Sequence, residues 1–273
     1  MIRRLKKLAG LSVPPTVSVL RLSGTIGTGR RGLALETLAA DIDRAFAPDD
    51  LSAVALLINS PGGSPVQSAL IGRRIRALAV EKSVPVLAFV EDVAASGGYW
   101  LAAAADEIVA DPCSIVGSIG VISAGFGFTG LIEKLGVDRR VHTAGTSKGM
   151  LDPFQAEKPE EIAHLKALQG DMHDQFKDWV RERRAGRLKA TEEELFNGAF
   201  WTGRRALDLG LIDRLGDLRA VVRDRFGDKV VVDIVNPARR SGLGRFIGLG
   251  ARDLADNVAD AAMERAAFAR YGL

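Results

Sequence analysis

The sequence predicts an α/β protein: a mostly parallel sheet joined by crossover helices, with a helical extension at the C-terminal end. Two observations predict it. Over the first half of the 273 residues, short apolar runs alternate with segments of helical period. Strand–helix–strand alternation of this kind builds parallel sheets through crossover connections. The runs at 53–58 and 84–90 are also almost continuously apolar rather than alternating, as strands buried on both faces are. The 47% hydrophobic content is enough for one large domain or two small ones.

Taken in order, residues 16–22 read as a strand ended by Gly24, and 33–46 as a helix with apolar residues at helical spacing. Residues 53–58 form a buried strand. Residues 65–79 form a helix that turns Arg73, Arg74 and Arg76 to solvent. Residues 84–90 are a second buried strand, and 96–105 a helix so apolar that it must be buried. A short strand at 107–110 ends at Asp111-Pro112. Residues 115–123 are a glycine-punctuated strand or turn, 131–135 a helix and 139–143 another strand. The second half changes character. A long charged helix covers 159–184, with Leu165, Leu168, Met172, Phe176 and Val180 on one face. Thr191 and Glu194 form a capping box for a short helix. Residues 200–203 read as a turn, 204–209 and 218–226 as helices, and 229–235 as a last strand. A Gly-rich basic linker at 239–250 precedes an amphipathic helix at 251–270. The expected domains are therefore a main α/β body, 1–236, and a linker with terminal helix, 237–273.

Composition bounds the function. A net charge of +3 against 37 basic and 34 acidic side chains gives no case for a nucleic-acid partner. The single cysteine, Cys113, excludes an intrachain disulfide and a cysteine-rich zinc site, fits a reducing compartment, and is expected as a small buried apolar residue. No metal or other cofactor is implied. The N-terminus sets Arg3, Arg4, Lys6 and Lys7 among Ile2, Leu5, Leu8 and Leu11 without the apolar core of a secretory signal. No window approaches the roughly 20 apolar residues of a spanning helix. The chain is therefore expected in the cytoplasm. Two readings of its N-terminus stay open: a frayed basic tail, or a segment lying on the inner face of the membrane.

Chemistry concentrates in three places. Ser96, in Ala95-Ser96-Gly97-Gly98, stands between an apolar strand and an apolar helix, where a hydroxyl can be exposed at the tip of a sharp turn. Asn59-Ser60-Pro61-Gly62-Gly63 also follows a strand, so both turns belong at the carboxyl edge of the sheet, where ligands bind in such folds. The glycine pair there leaves backbone N–H groups free to face a ligand, and with the N–H of Gly97 they can hold a developing oxyanion. An ordinary strand–helix turn with Ser64 as N-cap explains the same residues. A serine hydroxyl needs a base. Only His142, His164 and His173 are available, and none falls between Ser96 and His142. A lysine serves if it is neutral, which burial away from carboxylates promotes. Lys148, 52 residues after Ser96 in the uncharged loop 143–149, is the candidate; a plain surface lysine is the other reading. Together the three places point to peptide-bond hydrolysis by a serine–lysine pair.

These segments resemble the signal peptide peptidase A family of serine–lysine proteases (peptidase family S49), within the wider ClpP/crotonase-like fold. The resemblance runs through Ile58-Asn59-Ser60-Pro61-Gly62-Gly63-Ser64, Ala95-Ser96-Gly97-Gly98-Tyr99, Ala110-Asp111-Pro112, Val116-Gly117-Ser118-Ile119-Gly120-Val121 and the Lys148 loop, over roughly residues 17–216. It implies Ser96 as nucleophile and Lys148 as general base. It implies Ser118, 22 residues after Ser96, as the group that orients the amine, with Gly63 and Gly97 as oxyanion donors. It implies apolar extended peptides such as signal-peptide remnants as substrates, and a ring-like homo-oligomer in which the lysine can come from a neighbour. The family often carries a membrane anchor that this sequence does not show, and Trp100 stands where a smaller residue is commoner, a change expected to affect packing only. Two further readings remain: a crotonase-type acyl-CoA enzyme using Glu91 and Asp92, and a non-catalytic oligomeric scaffold at the membrane held through the terminal helix.

Overall fold

The computed structural model describes residues 14–27, 32–235 and 261–273. Two compact units divide the chain, 1–119 with 177–273 and 120–176. The first holds a sheet of the order β6-β5-β3-β2-β1-β8, with β4 pairing β3 and β7. Its strands are β1 (Thr16–Ser23), β2 (Leu51–Ser60), β3 (Val86–Ala95), β4 (Glu107–Ala110), β5 (Ile115–Gly117), β6 (Phe200–Thr202), β7 (Arg214–Leu215) and β8 (Val231–Val235). All pairings are parallel except β5 with β6. The mostly parallel α/β architecture is thus as the sequence predicts.

The helices between the strands are α1 (Leu35–Ala45), α2 (Pro65–Lys82) and α3 (Gly97–Ala102). Val17, Val19, Ala53, Ala55, Leu87 and Phe89 share one face of the sheet and pack on Val221 and Val222 of α8 (Leu218–Phe226). Side chains alternate along a strand. Leu20, Leu22, Val54, Leu56 and Ile58 therefore take the other face, and they are equally buried. Burial on both faces is why β2 and β3 are apolar without alternation. Helix α2 begins with Pro65 in its first turn and Ser64 as N-cap, whose side chain accepts from the Gln67 N–H.

Strand β3 changes partner part-way along. Leu87–Val90 pair with β4, whereas Val93–Ala95 pair with β5. The register against β2 slips at the same place, where Ile58 opposes Val90 but Ser60 opposes Ala94. Such a bulge bends a strand and leaves backbone groups unpaired. The buried Ser114 takes up that slack: its hydroxyl donates toward the carbonyls of Val90 (3.3 Å) and Glu91 (2.5 Å) and accepts from the Asp111 N–H.

Residues 159–183 form α5 (Pro159–Arg183), followed by α6 (Glu192–Leu195), capped by Thr191, and α7 (Gly203–Asp208). The basic stretch after α5 is not all solvated. Arg184 is 1% exposed, pairs with Asp213 at 2.7 Å and donates twice to the Gly210 carbonyl. Arg183 donates to the Ala103 and Ala105 carbonyls just past α3. Trp100 stacks on Trp179 with centroids 6.2 Å apart, a packing role. The segment 261–269 is helical and belongs to the first unit; the linker at 239–250 and the first half of the expected terminal helix lie outside the described residues.

The second unit carries α4 (Thr129–Lys134) and a long loop. Phe126, Phe128 and Phe154 cluster there, with Arg139 over the Phe154 ring at 4.8 Å. A cavity of about 510 Å³ opens among Phe126, Phe128, Leu151, Pro153, Ile162 and Leu165. Three expectations change. Residues 139–143 are not a strand, because they find no ladder partner; Arg139 instead bonds Asp152. Residues 200–202 are a strand rather than a turn, paired antiparallel to β5. Cys113 is exposed rather than buried, because it sits in the tight turn after Asp111-Pro112 with its N–H on Asp111 Oδ1.

Candidate active site

Ser96 occupies the single residue between β3 and α3. Its backbone has φ 53° and ψ −122°, a region that non-glycine residues rarely adopt. Strain of about 1–3 kcal/mol accompanies such a conformation and persists only where the surroundings over-determine it. Here they do. The Ser96 N–H donates to the Gly117 carbonyl at 2.8 Å, and the Ser96 carbonyl accepts from the Trp100 N–H at 3.0 Å. Gly62 abuts the turn so closely that a Cβ there would lie 2.7 Å from Ser96 Cβ and 2.8 Å from the Gly97 nitrogen. The side chain makes no capping bond to α3, is half-buried, and its hydroxyl has no hydrogen-bond partner among the described residues. A strand-to-helix elbow of this kind can expose a side-chain hydroxyl at its tip.

The turn after β2 approaches from the other side. Ile26 bridges Gly63 in parallel fashion: its N–H donates to the Gly62 carbonyl and its carbonyl accepts from Ser64, both at 2.8 Å. The Gly63 N–H therefore faces away from Ile26. It lies 3.4 Å from where a Cβ on Gly97 would stand. The Gly97 N–H is the first of α3 and has no turn before it to donate to. Among the described residues neither N–H meets an acceptor. Ser60 supports the turn from beneath, donating to the Gly24 carbonyl at 2.7 Å and accepting from Gly62. Two neighbouring N–H groups without acceptors are the kind of donors that can hold an anionic oxygen.

Ser118 is brought in by the strand switch. Ala95 pairs with Gly117, so the residues that follow them, Ser96 and Ser118, leave the sheet side by side. Ser118 is buried, also has a positive φ (54°), and donates its N–H to the Ala199 carbonyl at 2.7 Å. Tyr271 touches it: the phenol is 3.3 Å from Ser118 Oγ and 3.4 Å from the Pro61 carbonyl. Tyr271 had no signal in the sequence, since 153 residues separate the two side chains.

The first unit thus gathers Ser96, Ser118, Gly63 and Gly97. Lys148 belongs to the second. It lies in a turned loop, its N–H on the Gly145 carbonyl at 3.2 Å, and is exposed. His142 and His164 are exposed in the second unit as well. The carboxylates beside the elbow are tied elsewhere, Glu91 to Arg21 at 2.9 and 3.0 Å and Asp92 to the Asn59 amide at 2.7 Å. Below the site, Tyr99 is fully buried. Burial drives its phenol far above the ordinary range, and the hydroxyl donates to the Leu211 carbonyl at 2.7 Å. No group of three or more metal-ligating side chains occurs among the described residues.

The model of Peptidase family S49 matches residues 79–229. The chain belongs to peptidase family S49. A putative protease slr0021 from Synechocystis is 35% identical over 73% of this chain and 69% of its own length. The chloroplastic serine protease SPPA of Arabidopsis thaliana is 34% identical over 75% of this chain and 30% of its own. A Brucella abortus protein named Na(+)/H(+) antiporter NhaA is 51% identical over all of this chain, which spans 39% of that protein's length. The fold agrees with that of the 1510-N membrane-bound stomatin-specific protease, solved as a serine-to-alanine mutant, with a TM-score of 0.53 at 18% identity over 83% of this chain and 100% of that one. A lysine-to-alanine mutant of the same protease, in complex with a substrate peptide, has a TM-score of 0.52 at 16% identity over 87% of this chain and 99% of that one.

Proposed function

We propose that this chain is a serine endopeptidase that uses a Ser96–Lys148 dyad to cleave apolar, extended peptides such as signal-peptide remnants. The observation that carries it is the strained Ser96 elbow with its unpartnered hydroxyl, at a turn where Gly63 closely approaches Gly97 and both backbone N–H groups lack an acceptor among the described residues. In this reading neutral Lys148 takes the Ser96 proton as Oγ attacks the scissile carbonyl. Gly63 and Gly97 hold the oxyanion, and Ser118 orients the amine. The protonated lysine passes its proton to the leaving amine, an acyl-enzyme remains, and Lys148 then activates the water that hydrolyses it. Family membership supports a serine peptidase. The stomatin-specific protease was solved once with a serine and once with a lysine replaced by alanine, the second time with a substrate peptide bound; that choice of residues supports the pairing and a peptide substrate.

A neutral amine requires desolvation. The loop 143–149 leaves Lys148 exposed, so other surfaces must cover it. A homo-oligomer supplies such a surface. The second unit is suited to it, since Phe126 is 82% and Leu135 66% exposed. No helix among the described residues is long and apolar enough to cross a membrane. Action in the cytoplasm, with peripheral contact at the inner membrane face, is the accompanying proposal, as is the division into a peptidase domain, 1–236, and a C-terminal extension. Turnover of a fluorogenic apolar peptide tests the mechanism. Ser96→Ala and Lys148→Ala should each abolish it with unchanged folding, because members of a catalytic unit fail together. Wild-type activity should rise with pH without a histidine-like inflection near about 6.5. Turnover retained in either variant contradicts the dyad.

A further inference from the structure

We propose that Tyr271 is a positioning residue of this active site: its hydroxyl donates to Ser118 Oγ and fixes the direction in which the Ser118 proton points. The proposal rests on the reading of Ser96, Ser118 and Lys148 given above.

The tyrosine is held by the two strands that carry the two serines. Phe268 and Tyr271 pack on Val93 and Ala95, which lead into Ser96, and on Ile115, which opens the strand leading to Ser118. The Tyr271 ring meets Phe200 edge-on at 5.0 Å, and Phe200 pairs with Gly117 next to Ser118. The residue is 8% exposed. Its chain is turned by the bond from its own N–H to the Phe268 carbonyl at 2.8 Å. The phenol therefore reaches the site as part of a packed segment rather than as a loose tail.

At the site the hydroxyl stands between two acceptors, Ser118 Oγ at 3.3 Å and the Pro61 carbonyl at 3.4 Å. Both distances are long for O–H···O bonds, as is common for catalytic contacts before substrate tightens them. A serine hydroxyl has one proton to give and two lone pairs to receive with. When Tyr271 fills one lone pair, the Ser118 proton is left to be donated. On the proposed mechanism its acceptor is the lone pair of the neutral lysine amine. A hydrogen bond donated into that lone pair favours the neutral form, which is the base. Tyr271 thus acts on the base through Ser118 and touches no reacting atom.

The test compares wild type, Tyr271→Phe, Ser118→Ala and the double variant of the full chain on a fluorogenic apolar peptide across pH. Tyr271→Phe keeps the ring against Phe200 and Val93 and removes only the hydroxyl. It should lower kcat about 3- to 10-fold, the share of one net hydrogen bond, leave KM unchanged and move the rising limb of the pH–rate profile to higher pH. The double variant should be no slower than Ser118→Ala alone. Thermal melting checks the fold, and Tyr271→Leu is the second hydroxyl-free variant if the phenylalanine melts early. Unchanged kcat and profile, a loss of kcat without a pH shift, an additive loss in the double variant, or a gain in kcat (a tail that obstructs the site) each overturn the proposal. Ser96→Ala in the same series separates the two levels. If it still turns over, the parent reading falls. If it is dead while Tyr271→Phe behaves as wild type, only the role of Tyr271 falls.

Discussion

Single residues of the elbow carry steric demands that can be tested apart from chemistry. Gly62 has φ 99°, and a Cβ at this position would stand within 2.8 Å of three atoms of the Ser96 turn, among them the carbonyl oxygen of Ala95. Gly62→Ala therefore meets both a forbidden backbone region and a clash with Ser96 Cβ. It should cost about 1–3 kcal/mol in urea unfolding and reduce peptidase turnover more than stability, because the elbow rather than the core must shift. A stable, fully active Gly62→Ala would show that the turn after β2 does not buttress Ser96. At this scale the sequence was informative about identity and silent about geometry. The run Ala95-Ser96-Gly97-Gly98 marks the elbow because small residues are what close approach demands. The close approach of Gly63 to Gly97 goes with the Ile26 bridge, which no local pattern announces.

At the scale of elements, the decisive feature is the partner switch of β3. Ser114 satisfies the carbonyls at the switch while almost fully buried. Ser114→Ala removes the one proton that the Val90 and Glu91 carbonyls share, and should cost about 1–3 kcal/mol with a parallel loss of activity as Ser118 drifts from Ser96. Stability loss with full activity would separate the switch from the site. A second element-scale device joins α5 to the strand system through Arg184 and Asp213. Burial opposes the charge on Asp213, but the Arg184 hydrogen bond and the Ile108 N–H outweigh it and hold the carboxyl below the usual carboxylate range. A carboxyl lowered on folding contributes stability that is complete above its unfolded value, about 3.9, and is lost as pH falls through the folded one. Asp213→Asn should therefore be less stable than wild type at pH 7, with the gap closing below about pH 4; a gap constant with pH would contradict that coupling. Most elements were legible in the sequence, since continuous apolar runs and helical periods reflect burial directly. The misread ones, 139–143 and 200–202, are short segments whose state depends on whether a partner strand is present. Arg184 was legible as basic but not as buried, because its partner Asp213 lies 29 residues away.

On the scale of the whole molecule, two units hold different parts of the proposed chemistry. The first holds Ser96, Gly63, Gly97 and Ser118; the second carries Lys148 in an exposed loop and, in the same unit, several exposed apolar side chains such as Phe126 and Leu135. A monomer with an uncovered lysine is expected to be a poor base, so activity and assembly should be linked. The five candidate residues could all be named from the sequence, yet the units themselves were not legible, because the first is built from segments at both ends of the chain. The most direct test of the central claim is intact-protein mass spectrometry after treatment with a fluorophosphonate, on wild type and on Lys148→Ala. One adduct per chain, mapped to Ser96 and absent from Lys148→Ala, is the predicted result. No adduct on an oligomeric wild type, or equal labelling of the two proteins, would contradict a lysine-activated Ser96.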